Sequence, residues 1–543
     1  EPLVIRQGDI IAEARLCGDV ESLHDASCGE EAFRTCALAL DARFPGDTGS
    51  TDTSNRGKAC KLHENLAGIP NSKASVDGLK PDHPEFGLTG SQSADKVLSS
   101  CPEFRAWAKT AKAKLRFGKD RKLNRQVLKL LYCYRGIFAD NPSAPSPIAG
   151  VQHSIDLVIG EAVHPRKERL RRCSPKELQA MYDETEKMLS NGIIQPSTSA
   201  WAANVLMVPK PSDPLGGLRY VVDYRYLNKF TIADSSVIPR VDDLLDSLAG
   251  AEVFSMMDCA AGFWGVEIKP EHRHLTAFNT WTHGQCEFVR MPFGLRNAPS
   301  CFSRAMTSIL HPHVVDTYLP KSLSRDHTIS SANAAGAGGG AASAQTFQVT
   351  KRIASLYIDD VCVHGKRDSH VDNLASVLKR LHGNNVSLKM VKCEFAVTEG
   401  KFLGHVVKAG EGVMADPKKV SAIVQMRRPR TVGDIRTLLG ACSYLRRFIA
   451  DFSDVTLPLR LIQKNYRNKN CEVPDADWLP EHEAAFRALQ AALSSAPVLA
   501  FPDFDKPMIV CCDASGTQLG AVLCQRDKDG IERPIAYGSK ALN

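Results

Sequence analysis

The chain has 543 residues, 43% of them hydrophobic and 24% charged, with a formal net charge of +7. That length is too great for one core and predicts three or four domains of ordinary globular composition. No apolar run reaches the roughly 18 residues of a membrane span, the opening EPLVIRQGDI lacks signal-peptide regions, and none of the 17 cysteines forms a zinc-type CxxC pair.

Reduced thiols in an intracellular protein, cytoplasmic or nuclear unresolved, are therefore expected. The absence of an initial Met fits a fragment or a processed product. In chain order, residues 1 to about 140 carry no readable motif, and residues about 40–100, rich in Gly, Ser, Asp and Pro, read as loop or disorder. A helical pattern covers 123–138, and NPSAPSPIAG (141–150) reads as a linker. Basic clusters at 109–126, 164–173 and 426–448 are either solvated faces or contacts for a polyanion.

SPKE places Ser174 at a helix N-cap, Pro175 at the first helical position and Glu177 as its capping partner, and the helix ends at Asn191-Gly192. Strands follow at 203–210 and 218–224, a short helix in 239–250, a strand in 251–260, a hairpin over 278–290 and a helix over 298–310. TISSANAAGAGGGAASAQTFQ (328–348) is low in complexity and predicts a flexible loop. Beyond it come the strand pair of SLYIDDVCVHG (355–365), two short strands in KCEFAVTEGKFLGHVV (392–407), helices over 431–452 and 481–493, and two strands over 508–525. The mixed order gives an α+β fold rather than a regular βαβ alternation.

The chemistry lies in carboxylates. Asp242-Asp243 opens a helix, where the dipole favours negative charge and no function is needed. Asp359-Asp360 has no helix start, and sits between Leu356-Tyr357-Ile358 and Val361-Cys362-Val363. Two carboxylates about 4 Å apart repel by roughly 4 kcal/mol at an effective dielectric of 20. A solvated turn relieves that, and so does a Mg²⁺ ion with its oxygen ligands. Asp258, ending the apolar VFSMM, adds a third carboxylate; if the strands are neighbours, the three suit a two-metal site for phosphoryl transfer.

YIDD (357–360), VFSMMDCAAGFWGVEI (253–268), FVRMPFGLRNAPSCFSRAM (288–306) and LRYVVDYRYLN (218–228) resemble the polymerase motifs of reverse transcriptases. PRVDDLLDSLAGAEVFSMMD and KCEFAVTEGKFLGHVV narrow the resemblance to the Pol polyproteins of gypsy-type long-terminal-repeat retrotransposons, over roughly residues 150 to 543. The resemblance implies a right-hand polymerase of fingers, palm and thumb, followed by a connection and a partial RNase H-like αβ domain. It implies two Mg²⁺ ions, with Mn²⁺ as the alternative, on catalytic Asp258, Asp359 and Asp360. It puts the incoming nucleotide against Lys210, Arg219, Phe293 and Gly294, with Phe263 as the gate against a ribose 2′-OH and Asn297 and Pro299 shaping a helix start. Read without the resemblance, Lys210 and Arg219 are solvated strand-end cations, and Phe263 is a core aromatic.

By the same resemblance Phe402, Leu403, Gly404 and His405 grip the primer 3′ end, and Asp513 is the first RNase H metal ligand. The other ligands of that domain would lie past Asn543, so RNase H is read as truncated, its activity not expected. Arg436 and Arg447, eleven residues apart on one expected helix, either track duplex phosphates or face solvent. The implied division is 1–122 uncharacterised, with EPLVIRQGDIIAEARL similar to a segment that follows a protease; 123–172 lead-in; 173–407 fingers and palm, with an insert at about 320–350; 408–475 thumb and connection; 476–543 RNase H-like. The partners implied are an RNA template, a DNA primer, an RNA–DNA hybrid and deoxynucleoside triphosphates, with no membrane. The activity implied is RNA-directed DNA polymerisation. A catalytically inactive relic that only binds nucleic acid is the alternative, and Phe263 disfavours an RNA-templated RNA polymerase.

Overall fold

Five consecutive buried residues, Val253 to Met257, give the strand Val253–Asp258 no solvent face, and only Asp258 at its end reaches partial exposure. Such a run belongs in the middle of a sheet covered on both sides. The computed structural model describes residues 3–7, 10–16, 101–138, 145–158, 164–209, 217–236, 238–260, 262–311, 313–314, 317–320, 347–350, 352–466, 468, 470–516 and 518–542. The chain divides into two compact units: residues 76–247 with 252–398, and residues 1–75 with 248–251 and 399–543.

In the first unit a five-stranded sheet runs Ala354–Tyr357, Asp360–Gly365, Val253–Asp258, Glu394–Val397, Arg116–Phe117. The first three strands are antiparallel, with Tyr357 opposite Asp360 and Asp360 opposite Asp258. Arg116–Phe117 adds a parallel edge beside Glu394 and Phe395. Helices Ala298–Leu310, His370–Gly383 and Arg121–Cys133 pack on this sheet. Residues 102–117, where sequence alone shows no motif, include a helix, Pro102–Lys114, and a sheet strand, and the helix expected over 123–138 runs Arg121–Cys133, its Asp120 cap accepting from the Lys122 and Leu123 N–H groups. A second sheet runs Ile194–Pro196, Gly284–Phe288, Phe278–Thr280, Ala203–Pro209, Leu218–Val222. The expected capping box is present: Ser174 and Glu177 hold the start of Pro175–Ser190, and Gly192, at φ +64°, turns the chain out of it.

The linker expected over 141–150 is fixed at its end. Ile148 is buried and donates its N–H to the Gly265 carbonyl at 2.7 Å. Of the low-complexity insert, residues 321–346 lie outside the described residues. Its flanks Thr317–Pro320 and Phe347–Thr350 pair antiparallel, Pro320 opposite Phe347, so Phe347 and Gln348, the end of the expected loop, are strand.

The second unit carries a three-stranded antiparallel sheet, Glu399–Phe402, His405–Lys408 and Gly412–Ala415, so the 392–407 stretch holds three strands and not two. Helices Pro417–Val424, Val432–Tyr444, Phe452–Asn465 and Pro480–Ser494 follow. A five-stranded sheet orders Leu3–Gln7, Ile10–Leu16, Met508–Ala514, Gln518–Arg526 and Glu532–Ala541, with Ile10–Leu16 parallel to Met508–Ala514. The helix expected over 431–452 breaks. Thr431 and Asp434 box its start, but Val432–Tyr444 ends at Leu445 and a 3₁₀ turn spans Arg446–Phe448. Arg447, Phe448 and Ile449 are all buried, at 5%, 2% and 1% exposure.

Candidate active site

Asp359 and Asp360 sit at a two-residue hairpin. Tyr357 pairs with Asp360, leaving Ile358 and Asp359 as the loop. Tight hairpins need φ > 0 at the first loop position, and Ile358 takes it at φ +54°. A β-branched residue there costs about 1–3 kcal/mol and persists only where the surroundings enforce it. The buried strands Ala354–Tyr357 and Asp360–Gly365, whose ends the tip joins, enforce it.

Asp360 and Asp258 are direct cross-strand partners, so their side chains share one face of the sheet. Cys259 N–H donates to the Asp359 carbonyl at 3.1 Å, fixing the tip against the chain after Asp258. Desolvation, then the Asp359 and Asp258 charges, push the Asp360 carboxyl up to about 6. Asp359 is more exposed; desolvation on its protein side, then the Asp258 charge, raise it too. The donor set is oxygen only, negative in excess and mutually repelling, which is the chemistry a hard divalent cation relieves. As the side chains stand, no group of three His, Cys, Asp or Glu among the described residues encloses an ion. Asp258 instead accepts from Lys392 Nζ at 2.7 Å. Lys392, in the 3₁₀ turn Met390–Lys392, was not singled out by sequence, because 134 residues separate it from its partner.

Phe263 lies in the 3₁₀ turn Gly262–Gly265 just after Asp258. Its ring stands 4.9 Å from Phe293 and 5.6 Å from Phe302, half-buried rather than in the core. Phe293 is 60% exposed, its ring meeting only Phe263 and Trp264 among the described aromatic contacts. Gly294 takes φ +97° beside the Val222 carbonyl, and Asn228 Nδ2 donates to its carbonyl at 2.8 Å. Asn297 is the N-cap of Ala298–Leu310 but gives it no side-chain bond; it ties Ile232 and Asp234 instead. Arg219 is exposed on Leu218–Val222, opposite Val208. Lys210 lies outside the described residues.

The Phe402–His405 turn belongs to the other unit. Phe402 pairs with His405 across Leu403 and Gly404, both at positive φ, +46° and +65°. A Cβ on Gly404 would run into the Lys419 ammonium. His405 is buried, with rings of Tyr444 at 5.2 Å and Phe448 at 5.7 Å, and Tyr444 donates to the Leu403 carbonyl. Phe402 and His405 are therefore supports, and the turn offers Leu403 and Gly404. Arg436 is exposed, but Arg447 is buried, with Nη2 3.4 Å from the Ile535 carbonyl, and cannot track a phosphate. Asp513 is exposed on Met508–Ala514, opposite Gly520.

Reverse transcriptase (RNA-dependent DNA polymerase) is the family that matches residues 208–407, and the RNase H-like domain found in reverse transcriptase matches 478–543. The chain is 35% identical over 367 residues to the retrovirus-related Pol polyprotein from transposon opus of Drosophila melanogaster, covering 66% of this chain and 33% of that protein. It is 32% identical over 396 residues to that from transposon 297 of the same organism, covering 72% and 32%. A Transposon Tf2-3 polyprotein of Schizosaccharomyces pombe is 29% identical over 74% of this chain and 26% of its own length. The chain thus spans about a third or less of these curated relatives. The fold is that of the foamy viral protease-reverse transcriptase, solved in complex with RNA/DNA hybrid (TM-score 0.62, 22% identity, 82% of this chain and 52% of that one) and with double-stranded DNA (TM-score 0.64, 22% identity, 82% and 68%). Among the described residues no helix is long and apolar enough to cross a membrane.

Proposed function

We propose that this chain, which belongs to the reverse transcriptase family of gypsy-type long-terminal-repeat retrotransposon Pol polyproteins, is an RNA-directed DNA polymerase that extends a primer 3′-OH on an RNA or DNA template and releases pyrophosphate. The observation that carries this is the direct register of Asp258 with Asp360, next to Asp359 on a strained hairpin tip. When bound, two Mg²⁺ ions, or Mn²⁺ in their place, supply Lewis-acid stabilisation of the attacking and leaving oxygens. Asp258, Asp359 and Asp360 hold them. The half-buried Phe263 ring, braced by Phe293 and Phe302, excludes a ribose 2′-OH. Exposed Phe293 with Gly294 borders the nucleotide, and Arg219 and Lys210 take its phosphates. Leu403 and Gly404 present the primer end, backed by Phe402 and His405. Residues 173–407 form fingers and palm, 408–475 thumb and connection, and 476–543 the RNase H-like domain, in which Asp513 stands at a metal-ligand position.

The Asp359→Asn variant is expected to lose at least about a hundredfold in Mg²⁺-dependent extension of a primed RNA template, the cost of removing one pre-set charge from such a site. Undiminished extension by that variant rejects the reading. Phe263→Ala is expected to admit ribonucleotides while deoxynucleotide incorporation persists; an unchanged ratio of ribose to deoxyribose incorporation removes the gate assignment.

A further inference from the structure

We propose that Lys392 is the built-in counter-cation of the carboxylate triad and competes with the divalent ion for Asp258, so that its departure is part of loading the site. This rests on the polymerase reading of Asp258, Asp359 and Asp360.

The pairing is mounted rather than incidental. The segment before Lys392 is zipped to the end of the Asp258 strand: Ala260 N–H donates to the Ser387 carbonyl at 2.8 Å, and Lys389 N–H to the Asp258 carbonyl at 2.9 Å. Cys259 and Leu388 form a bridge between them. The turn then closes on itself, Lys392 N–H to Lys389 carbonyl at 2.9 Å and Cys393 N–H to Met390 carbonyl at 3.1 Å. The backbone that carries Lys392 is thus registered to the backbone that carries Asp258. From this mount Nζ reaches Asp258 Oδ2 at 2.7 Å, while the side chain stays 54% exposed. The ammonium bonds Asp258 alone, and the Asp258, Asp359 and Asp360 charges all act on it.

A carboxylate oxygen has more than one lone pair, so the lysine does not block Asp258 sterically. Charge decides. A divalent ion drawn to the triad meets an ammonium already on one of its ligands. Across about 4 Å a fixed unit positive charge weakens a dication by roughly thirtyfold even in bulk water, and because this lysine can move away the penalty is capped at the strength of its own charged hydrogen bond, about tenfold. The half-exposed side chain can swing into solvent, which makes the exchange reversible. Without metal the same contact spares three crowded carboxylates an uncompensated repulsion.

The test is direct Mn²⁺ binding to the full chain, read from the electron paramagnetic resonance signal of free Mn²⁺ with no substrate present. Lys392→Met is expected to tighten Mn²⁺ binding about tenfold, and Lys392→Arg to stay within about threefold of wild type. Lys366→Met is the charge control: Lys366 pairs with Glu252 at 3.0 Å, at the opposite end of the same strands, roughly 17 Å away by strand rise. It is expected to leave binding unchanged. Equal or weaker binding by Lys392→Met, with wild type binding and Asp360→Asn not, overturns the competition and leaves the triad standing. A Lys366→Met effect equal to that of Lys392→Met reduces it to general charge and also overturns it. No Mn²⁺ on wild type overturns the triad and this inference together.

Discussion

Asp360 lies across from Asp258 and next to Asp359, and its carboxyl is pushed up to about 6 by desolvation and by those two charges. An aspartate in an unfolded chain titrates near 3.9. In the metal-free protein the folded state therefore holds its proton more tightly than the unfolded one, and the ionised form is a cost. That cost is absent below about pH 4, grows as pH rises toward 6, and is complete above it. Asp360→Asn removes the charge and keeps the shape. In EDTA at pH 7.5 the variant is expected to be more stable than wild type by on the order of 1–2 kcal/mol, partial exposure having screened the full linkage value. At about pH 3.5 the two are expected to coincide. Urea unfolding at the two pH values checks it, and a variant gain that persists unchanged in acid sinks the argument.

Secondary elements divide by how local their causes are. Both capping boxes, Ser174 with Glu177 and Thr431 with Asp434, could be read from sequence because both partners lie within one turn. The 357–360 hairpin was legible because its apolar flanks alternate with one polar pair. The break at Leu445 was not, since neither Gly nor Pro follows the helix end before the 3₁₀ turn Arg446–Phe448. Nor was the Lys392 contact, which joins segments distant in sequence. Two glycines of the Glu399–Ala415 sheet show the same contrast. Gly410 sits at φ +74° with open space around its missing Cβ, whereas at Gly412, φ +144°, a Cβ would strike the Leu499 backbone carbonyl. That carbonyl is held by Val413 N–H at 2.8 Å, and Leu499 N–H returns the bond at 2.9 Å, so it cannot retreat. Gly410→Ala is expected to cost only the backbone conformation, about 1 kcal/mol. Gly412→Ala is expected to cost roughly 3 kcal/mol or more, by adding overpacking to the same strain. Equal melting shifts for the two variants contradict the assignment.

For the whole chain, the question is how a polymerase-type sheet tolerates an Ala/Gly/Ser-rich insertion between its helix Ala298–Leu310 and the strand Ala354–Tyr357 that leads to Asp359. Sequence alone allows a tolerated loop, a translated non-coding remnant or damage to the palm. The register at the insertion's base argues against damage: Thr317–Pro320 and Phe347–Thr350 pair residue for residue, and Ile353 and Ala354 N–H groups return to the His313 carbonyl at 3.0 and 3.1 Å. Chain entering and leaving the insertion is therefore brought together before the Ala354 strand begins, and the Asp258–Asp360 register is kept. Closing a loop costs entropy only as the logarithm of its length, so residues 321–346 add little: about 1.5 kcal/mol relative to a turn of a few residues. With Pro320 opposite Phe347, a two-residue Asn-Gly connection fits between them as a type I′ hairpin. A chain in which Asn-Gly replaces residues 321–346 is expected to keep Mg²⁺-dependent primer extension within about threefold of the parent and to unfold at slightly higher urea, by that small loop-closure gain. Loss of extension with folding intact would assign the insertion a part in catalysis, because by the register alone it has none.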